Sequence, residues 1–215
     1  MSQAIFNFDE FEKNSNRTLF NNGYDYIIGC DEAGRGPGAG GVFASAVCFK
    51  NNKNLPEILS KLNDSKKLSE KTREELFPLI QENSIYATVE ISVEKIEEIN
   101  ILNASLYGME LATKEVLSKL NSNNVLILID GNKKIKNPEF NQKTIVKGDS
   151  TSASIAAASI LSKVSRDRYM CELDKKFPNY NFKKNKGYLT KEHIEAIKKY
   201  GITEFHRKSF LKNIL

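Results

Sequence analysis

The chain has 215 residues, 40% of them hydrophobic and 27% charged, with a net charge of +5. That size and composition fit one soluble globular domain, and no apolar run approaches the roughly 20 residues of a membrane span. Three scattered cysteines (Cys30, Cys48, Cys171) without CxxC spacing exclude a disulfide framework and a zinc site; with the polar, acidic start "MSQAIFNFDEFEKN" they predict a cytoplasmic protein without a secretory leader.

In chain order, residues 1–23 read as a lead-in. Residues 26–30 are a short apolar strand, and "GVFASAVCF" at 41–49 is a second. A helix is predicted over 69–83, capped by Ser69 and kinked or stopped by Pro78. In "IYATVEI", residues 85–91, apolar and polar positions alternate as in a half-buried strand. A helix over 104–120 places Leu106, Met109, Val116 and Leu120 at helical spacing. "VLILI" at 125–129 is apolar throughout, as in a strand covered on both faces. An alanine-rich helix spans 151–172, and a helix over 191–200 runs from Thr190 to Gly201. This order predicts one α/β layered domain over 1–215 with a mixed sheet, its first three strands antiparallel neighbours.

The charge is unevenly spread. From Lys175 onward there are eleven Lys and Arg against three acids, a net +8, interleaved with Phe177, Tyr180, Phe182, Tyr188, Tyr200, Phe205 and Phe210. Such a basic, aromatic, helical C-terminal part suits a nucleic-acid backbone, and a solvated tail with core aromatics explains it equally well.

Four acids stand out. Asp31 and Glu32 end the first strand and Asp130 ends "VLILI", so two strands deliver carboxylates to one sheet edge. Asp167 shares the helical stripe of Ala156, Ile160, Val164 and Cys171. A buried carboxylate needs compensation, from Lys163 at i−4, from a neighbouring arginine, or from a metal ion shared with the other acids. Oxygen ligands without histidine or cysteine select Mg2+ or Mn2+, and beside a basic segment they point to metal-assisted phosphodiester hydrolysis.

The chain closely resembles the bacterial type 2 ribonucleases H, the ribonuclease HII family. The likeness runs over about residues 24–212 in "GCDEAGRGPGAGGVFASAV", "NDSKKLSEKTREEL", "LIDGN", "VKGDSTSASIAAASILSKVSRDRYM", "NKGYLTKEHIEAIKKYG" and "HRKSF". The resemblance implies a ribonuclease H-like fold, a five-stranded mixed sheet flanked by helices with a C-terminal helical region. It implies cleavage of RNA in RNA–DNA hybrids and 5′ of single ribonucleotides in duplex DNA, leaving 3′-hydroxyl and 5′-phosphate ends. Its catalytic, metal-binding acids map onto Asp31, Glu32, Asp130 and Asp167, around two Mn2+ or Mg2+ ions. The backbone of Gly34-Arg35-Gly36 would read the 2′-hydroxyl, and Tyr188 would pack on the deoxyribose on the 3′ side. Lys66, Lys147, His206 and Arg207 would meet phosphates. Lys67 reads as a plain surface charge, His193 as structural, and Asp149 equally as part of "KGD" or as a helix cap. Gly38 and Gly41 depart from the bulkier residue and proline usual in the family and predict a looser loop.

The resemblance implies RNA–DNA hybrid and ribonucleotide-bearing DNA as partners, a monomer, and no membrane. A replication-clamp contact has no tail motif to support it after Phe210, and the segment after "HRKSF" is shorter than in some members. A junction resolvase of the same fold would not need a 2′-hydroxyl reader. A non-catalytic binding module would gain nothing from four clustered negative charges.

Overall fold

The computed structural model describes residues 24–50 and 61–214. The segment read as a lead-in, 1–23, lies outside the described residues.

Five strands form one mixed sheet: β1 (Tyr26–Ala33), β2 (Val42–Phe49), β3 (Ser84–Ile91), β4 (Val125–Asp130) and β5 (Gln142–Ile145), in the order β3-β2-β1-β4-β5. The first three strands pair antiparallel, as predicted, while β1–β4 and β4–β5 are parallel. β1 and β4 are buried almost throughout because both faces of the sheet are covered. On one face Ile28, Cys30 and Ile127 pack with Met109, Ala112 and Val116 of helix α3 (Ile101–Leu117). On the other, Val47 packs with Leu76 and Ile80 of α1 (Glu70–Asn83) and with the alanines of α4 (Ala153–Lys176). α4 lies very close to β1. A Cβ at Gly29 would fall 2.3 Å from the backbone of Ser154 and Ile155, so only glycine permits this approach.

Three elements differ from their sequence expectation. α1 runs through Pro78. That residue is exposed, so the carbonyl it leaves unbonded one turn back can be met by water. The helix expected over 104–120 is preceded by a separate short one, α2 (Val93–Ile99). Asn100, at φ 64, ends α2 and caps α3 through its side chain. Strand β5 had no periodic signal. It is four residues long, largely polar, and lies at the sheet's edge.

Beyond α4, the short helix α5 (Phe182–Asn185) and α6 (Lys191–Tyr200) build a separate cluster. Phe182, Tyr180, Ile197 and Leu211 close on Met170 and Leu173 of α4 and on Ala39 of the loop between β1 and β2. An isolated bridge pairs Ala39 with His206. The C-terminal part is thereby fastened to the glycine-rich loop.

Candidate active site

Register brings the first acids together. Cys30 of β1 pairs with Ile129 of β4, so Asp31 and Asp130 follow side by side at the carboxyl end of two parallel strands. Cys30 and Ile129 face the α3 side, so Asp31 and Asp130 face α4. Asp31 is 5% exposed; its Oδ1 accepts from the Glu32 N–H at 2.7 Å, and the Ser159 hydroxyl of α4 bonds its carboxyl. Ser159 is itself 2.8 Å from the Ser65 hydroxyl. Asp130 Oδ1 accepts from the Gly148 N–H at 2.7 Å. Glu32 takes the other side and meets Arg35 at 3.5 Å.

These acids share a cleft of about 600 Å³ with Asp149, Gly34, Arg35, Gly36, Lys66 and Tyr188. Burial, then the charges of Glu32 and Asp130, push the Asp31 carboxyl well above its ordinary range. Burial raises Glu32, with Arg35 opposing and Asp130 adding. Burial raises Asp149, with Asp64 and Asp130 adding. Within the cleft the four carboxylates raise one another: Glu32 and Asp130 act on Asp31, and Asp130 acts on Glu32 and Asp149. Among the described residues, no three His, Cys, Asp or Glu side chains stand close enough to enclose an ion as placed. The acids line the cleft without closing into a cage.

The structure separates Asp167 from this group. Its carboxylate is 2.7 Å from Lys163 Nζ and 3.9 Å from Arg73 of α1, and it does not line the cleft. The compensation its burial demanded is an ion pair. The fourth acid of the cleft is Asp149, which the sequence leaves equally as part of "KGD" or as a helix cap. The cap is Ser152, whose hydroxyl accepts from the Ile155 N–H, and Asp149 lies three residues earlier in a 3-10 turn (Gly148–Ser150). With Ser152 as the cap, the "KGD" reading is the signal by which it could have been found.

The basic candidates divide as well. Lys66 is exposed and lines the cleft. Lys147 is exposed in left-handed conformation, φ 58, on the turn before Asp149 and outside the cleft lining. Arg207 and His206 are not surface phosphate contacts. Arg207 is 0% exposed, with its guanidinium bonded to the carbonyls of Gly34, Arg35, Gly40 and Gly41. His206 is buried, with Nε2 3.1 Å from His193 Nε2 and Nδ1 accepting from the Thr203 N–H at 2.9 Å. His193 Nδ1 must donate to the Tyr188 carbonyl, 2.9 Å away, so its Nε2 is an acceptor and His206 Nε2 the donor. Both rings are neutral, which fits the structural reading of His193.

The loop expected to be loose is buried from Pro37 to Gly41. Gly38 and Gly40 donate to Gly187 and Phe205, and the Gly38 carbonyl accepts from the Arg207 N–H. Gly34, at φ 105, leaves no room for a side chain: a Cβ would sit 2.2 Å from Arg166 Nε. Tyr188 is 51% exposed, with its ring edge 3.4 Å from where a Gly36 Cβ would be.

A family model for Ribonuclease HII matches residues 28–213. A Ribonuclease HII of Caldicellulosiruptor bescii is 51% identical over 198 residues, 92% of each chain. The chain belongs to the ribonuclease HII family. It is an enzyme, a ribonuclease H, acting on RNA–DNA substrates. The Ribonuclease HII of Clostridioides difficile is also 51% identical, over 91% of this chain and 74% of the relative. Among solved structures, ribonuclease H2 of Pyrococcus horikoshii OT3 matches at TM-score 0.69 and 25% identity, covering 88% of this chain and 96% of that one. The PCNA:RNase HII complex of Archaeoglobus fulgidus matches at TM-score 0.65 and 25% identity, over 85% and 93%. The ribonuclease H-like fold is thus that of the ribonuclease HII family, with the acid cleft at the carboxyl ends of β1 and β4.

Proposed function

We propose that the protein cleaves the RNA strand of RNA–DNA hybrids and cuts on the 5′ side of single ribonucleotides in duplex DNA, leaving 3′-hydroxyl and 5′-phosphate ends. The observation that carries this reading is one cleft in which four carboxylates open directly onto the Gly34–Gly36 backbone and the exposed Tyr188 ring. The carboxylates suit the chemistry at the phosphate, and the backbone and ring suit recognition of the sugar beside it.

The donor set fits two divalent cations, Mn2+ or Mg2+. It consists of oxygen ligands only, and its buried, mutually repelling carboxylates are relieved by positive charge. Asp31, Glu32, Asp130 and Asp149 would hold the ions, with Asp149 in the place that sequence reasoning gave to Asp167. Bound ions supply an activated water and stabilise the leaving oxygen. The protein's own groups do the rest. Backbone N–H groups of Arg35 and Gly36 donate towards the 2′-hydroxyl, Tyr188 packs on the next deoxyribose, and Lys66 meets a phosphate.

Among the described residues no helix is long and apolar enough to cross a membrane. Free cysteines and a nucleic-acid substrate go with the cytoplasm. The Archaeoglobus complex makes a sliding clamp the protein partner to test. The test of the reading is a DNA duplex bearing one ribonucleotide, incubated with Mg2+ or Mn2+ beside an all-DNA control. One cut on the 5′ side of the ribonucleotide is expected. Cutting of both duplexes, or of neither, refutes the reading.

A further inference from the structure

Two arginines sit side by side beneath the glycine-rich loop. Arg166 of α4 is 1% exposed and Arg207 0%. Neither has a carboxylate at ion-pair distance among the described residues, so neither buried charge is directly paired. Such burial is costly unless every donor is used. Here the donors are spent on backbone. Arg207 reaches the carbonyls of Gly34 at 2.7 Å, Arg35 at 3.2 Å and Gly40 at 2.6 Å. Arg166 reaches Ala39 at 3.1 Å, Gly41 at 3.2 Å and Lys186 at 2.9 Å.

The stereochemistry of the peptide turns these bonds into a direction. In a trans peptide, the C=O of one residue and the N–H of the next point opposite ways. The Gly34 and Arg35 carbonyls aim at Arg207, so the N–H groups of Arg35 and Gly36 aim away from it. Gly38 and Gly40 donate to Gly187 and Phe205, but among the described residues the N–H groups of Arg35 and Gly36 meet no acceptor. Both residues line the cleft. Arg166 also grips Lys186, two residues before Tyr188, while the Tyr188 carbonyl is held by His193.

We propose that Arg207 and Arg166 are positioning residues. They aim the Arg35 and Gly36 N–H groups at the ribonucleotide's 2′-hydroxyl and fix them relative to the Tyr188 ring, without touching nucleic acid. The proposal rests on the reading of Gly34–Gly36 as the hydroxyl reader. It makes the C-terminal "HRKSF" segment an instrument of sugar selectivity.

The test uses Arg207→Lys, which keeps the charge and loses the fork needed to span four carbonyls. Single-turnover cleavage is measured on duplexes carrying one ribonucleotide or its 2′-fluoro counterpart, beside affinity for an all-DNA duplex at several salt concentrations. Cleavage at the ribonucleotide should fall about 10–100-fold, as for loss of a supporting contact, with affinity held within about twofold. The advantage of the ribonucleotide over the 2′-fluoro sugar should narrow. Equal losses on both sugars would mean a merely structural role and overturn the proposal, as would an undiminished rate. Weaker duplex binding with a salt slope smaller by about one would make Arg207 a phosphate contact and also overturn it. If Arg207→Lys does not fold, Arg166→Lys carries the same expectations and the same refutations. Should the wild-type enzyme cut neither ribonucleotide-bearing duplex nor hybrid, the function reading fails; a wild type that cuts beside an unaffected variant overturns only the positioning role of the two arginines.

Discussion

The sheet edge and the glycine loop border the same cleft but are held in opposite ways. At the edge, strand register forces Asp31, Glu32 and Asp130 together against their own repulsion, and burial raises the first two further. In the loop, polar groups find partners: carbonyls are met by two guanidiniums, and the Gly38 and Gly40 N–H groups by Gly187 and Phe205. The edge stores unfavourable charge that a bound cation would relieve. The loop's carbonyls carry no such strain, and the Arg35 and Gly36 N–H groups, which meet no acceptor among the described residues, belong to residues that line the cleft. Substitutions at the edge should therefore cost activity and spare stability, and substitutions in the loop should cost both.

The largest expected effect breaks the edge. Asp31→Asn should lower kcat by at least about 10³-fold, as for a member of a unit that acts together, while the Tm stays level or rises because a repelled charge is gone. Rate assays and calorimetry on the same preparation check both halves. Retained cleavage, or a lowered Tm, would contradict the account of the edge.

Next comes the loop. Gly34→Ala adds a Cβ at φ 105, within 2.2 Å of Arg166, and should cost on the order of 2–4 kcal/mol. Gly36→Ala adds one 3.4 Å from the movable Tyr188 ring and should cost less than about 1 kcal/mol. Urea midpoints for the two variants would sharpen the comparison; equal midpoints would refute the picture of Arg166 as the wall behind Gly34.

The smallest effect concerns the fastening of the C-terminal segment. Burial and the facing His193 ring push His206 down from 6.5 to about 4. The unfolded chain therefore binds more protons between those values. The pair's contribution to stability is complete above about 6.5 and is lost as the pH falls towards about 4, where two N–H groups would confront each other. The Tm of the wild type should drop between about pH 7 and about pH 5, and His206→Gln should show a shallower drop. Parallel pH profiles would dissociate the histidine pair from acid lability.

Much of the fold was legible because its central elements announce themselves. "VLILI" fitted a strand covered on both faces and is one, and Ser69, Thr190 and Gly201 marked helix ends correctly. The misses have physical causes. β5 is short, polar and peripheral, so no periodicity reveals it. α2 is a seven-residue helix whose junction depends on the backbone of a single Asn100. Within the site, Asp31, Glu32 and Asp130 were legible because strand ends deliver residues to one edge. Asp167 misled because a helical stripe says that a residue is buried and not what it faces; Arg73 comes from a helix 94 residues earlier in the chain. Arg207 misled in the other direction: in a basic segment, a guanidinium spent on carbonyls looks like any surface cation.

The most direct test of which acids make the site is single-turnover cleavage of a DNA duplex with one ribonucleotide by Asp149→Asn beside Asp167→Asn. Asp149→Asn should lose at least about 10²-fold in rate at an unchanged Tm, and Asp167→Asn should keep the rate within about threefold while melting lower, its ion pair with Lys163 gone. The reverse pattern, with Asp149→Asn active and Asp167→Asn dead at an unchanged Tm, would return the fourth acid to the helix and contradict the site described by the cleft.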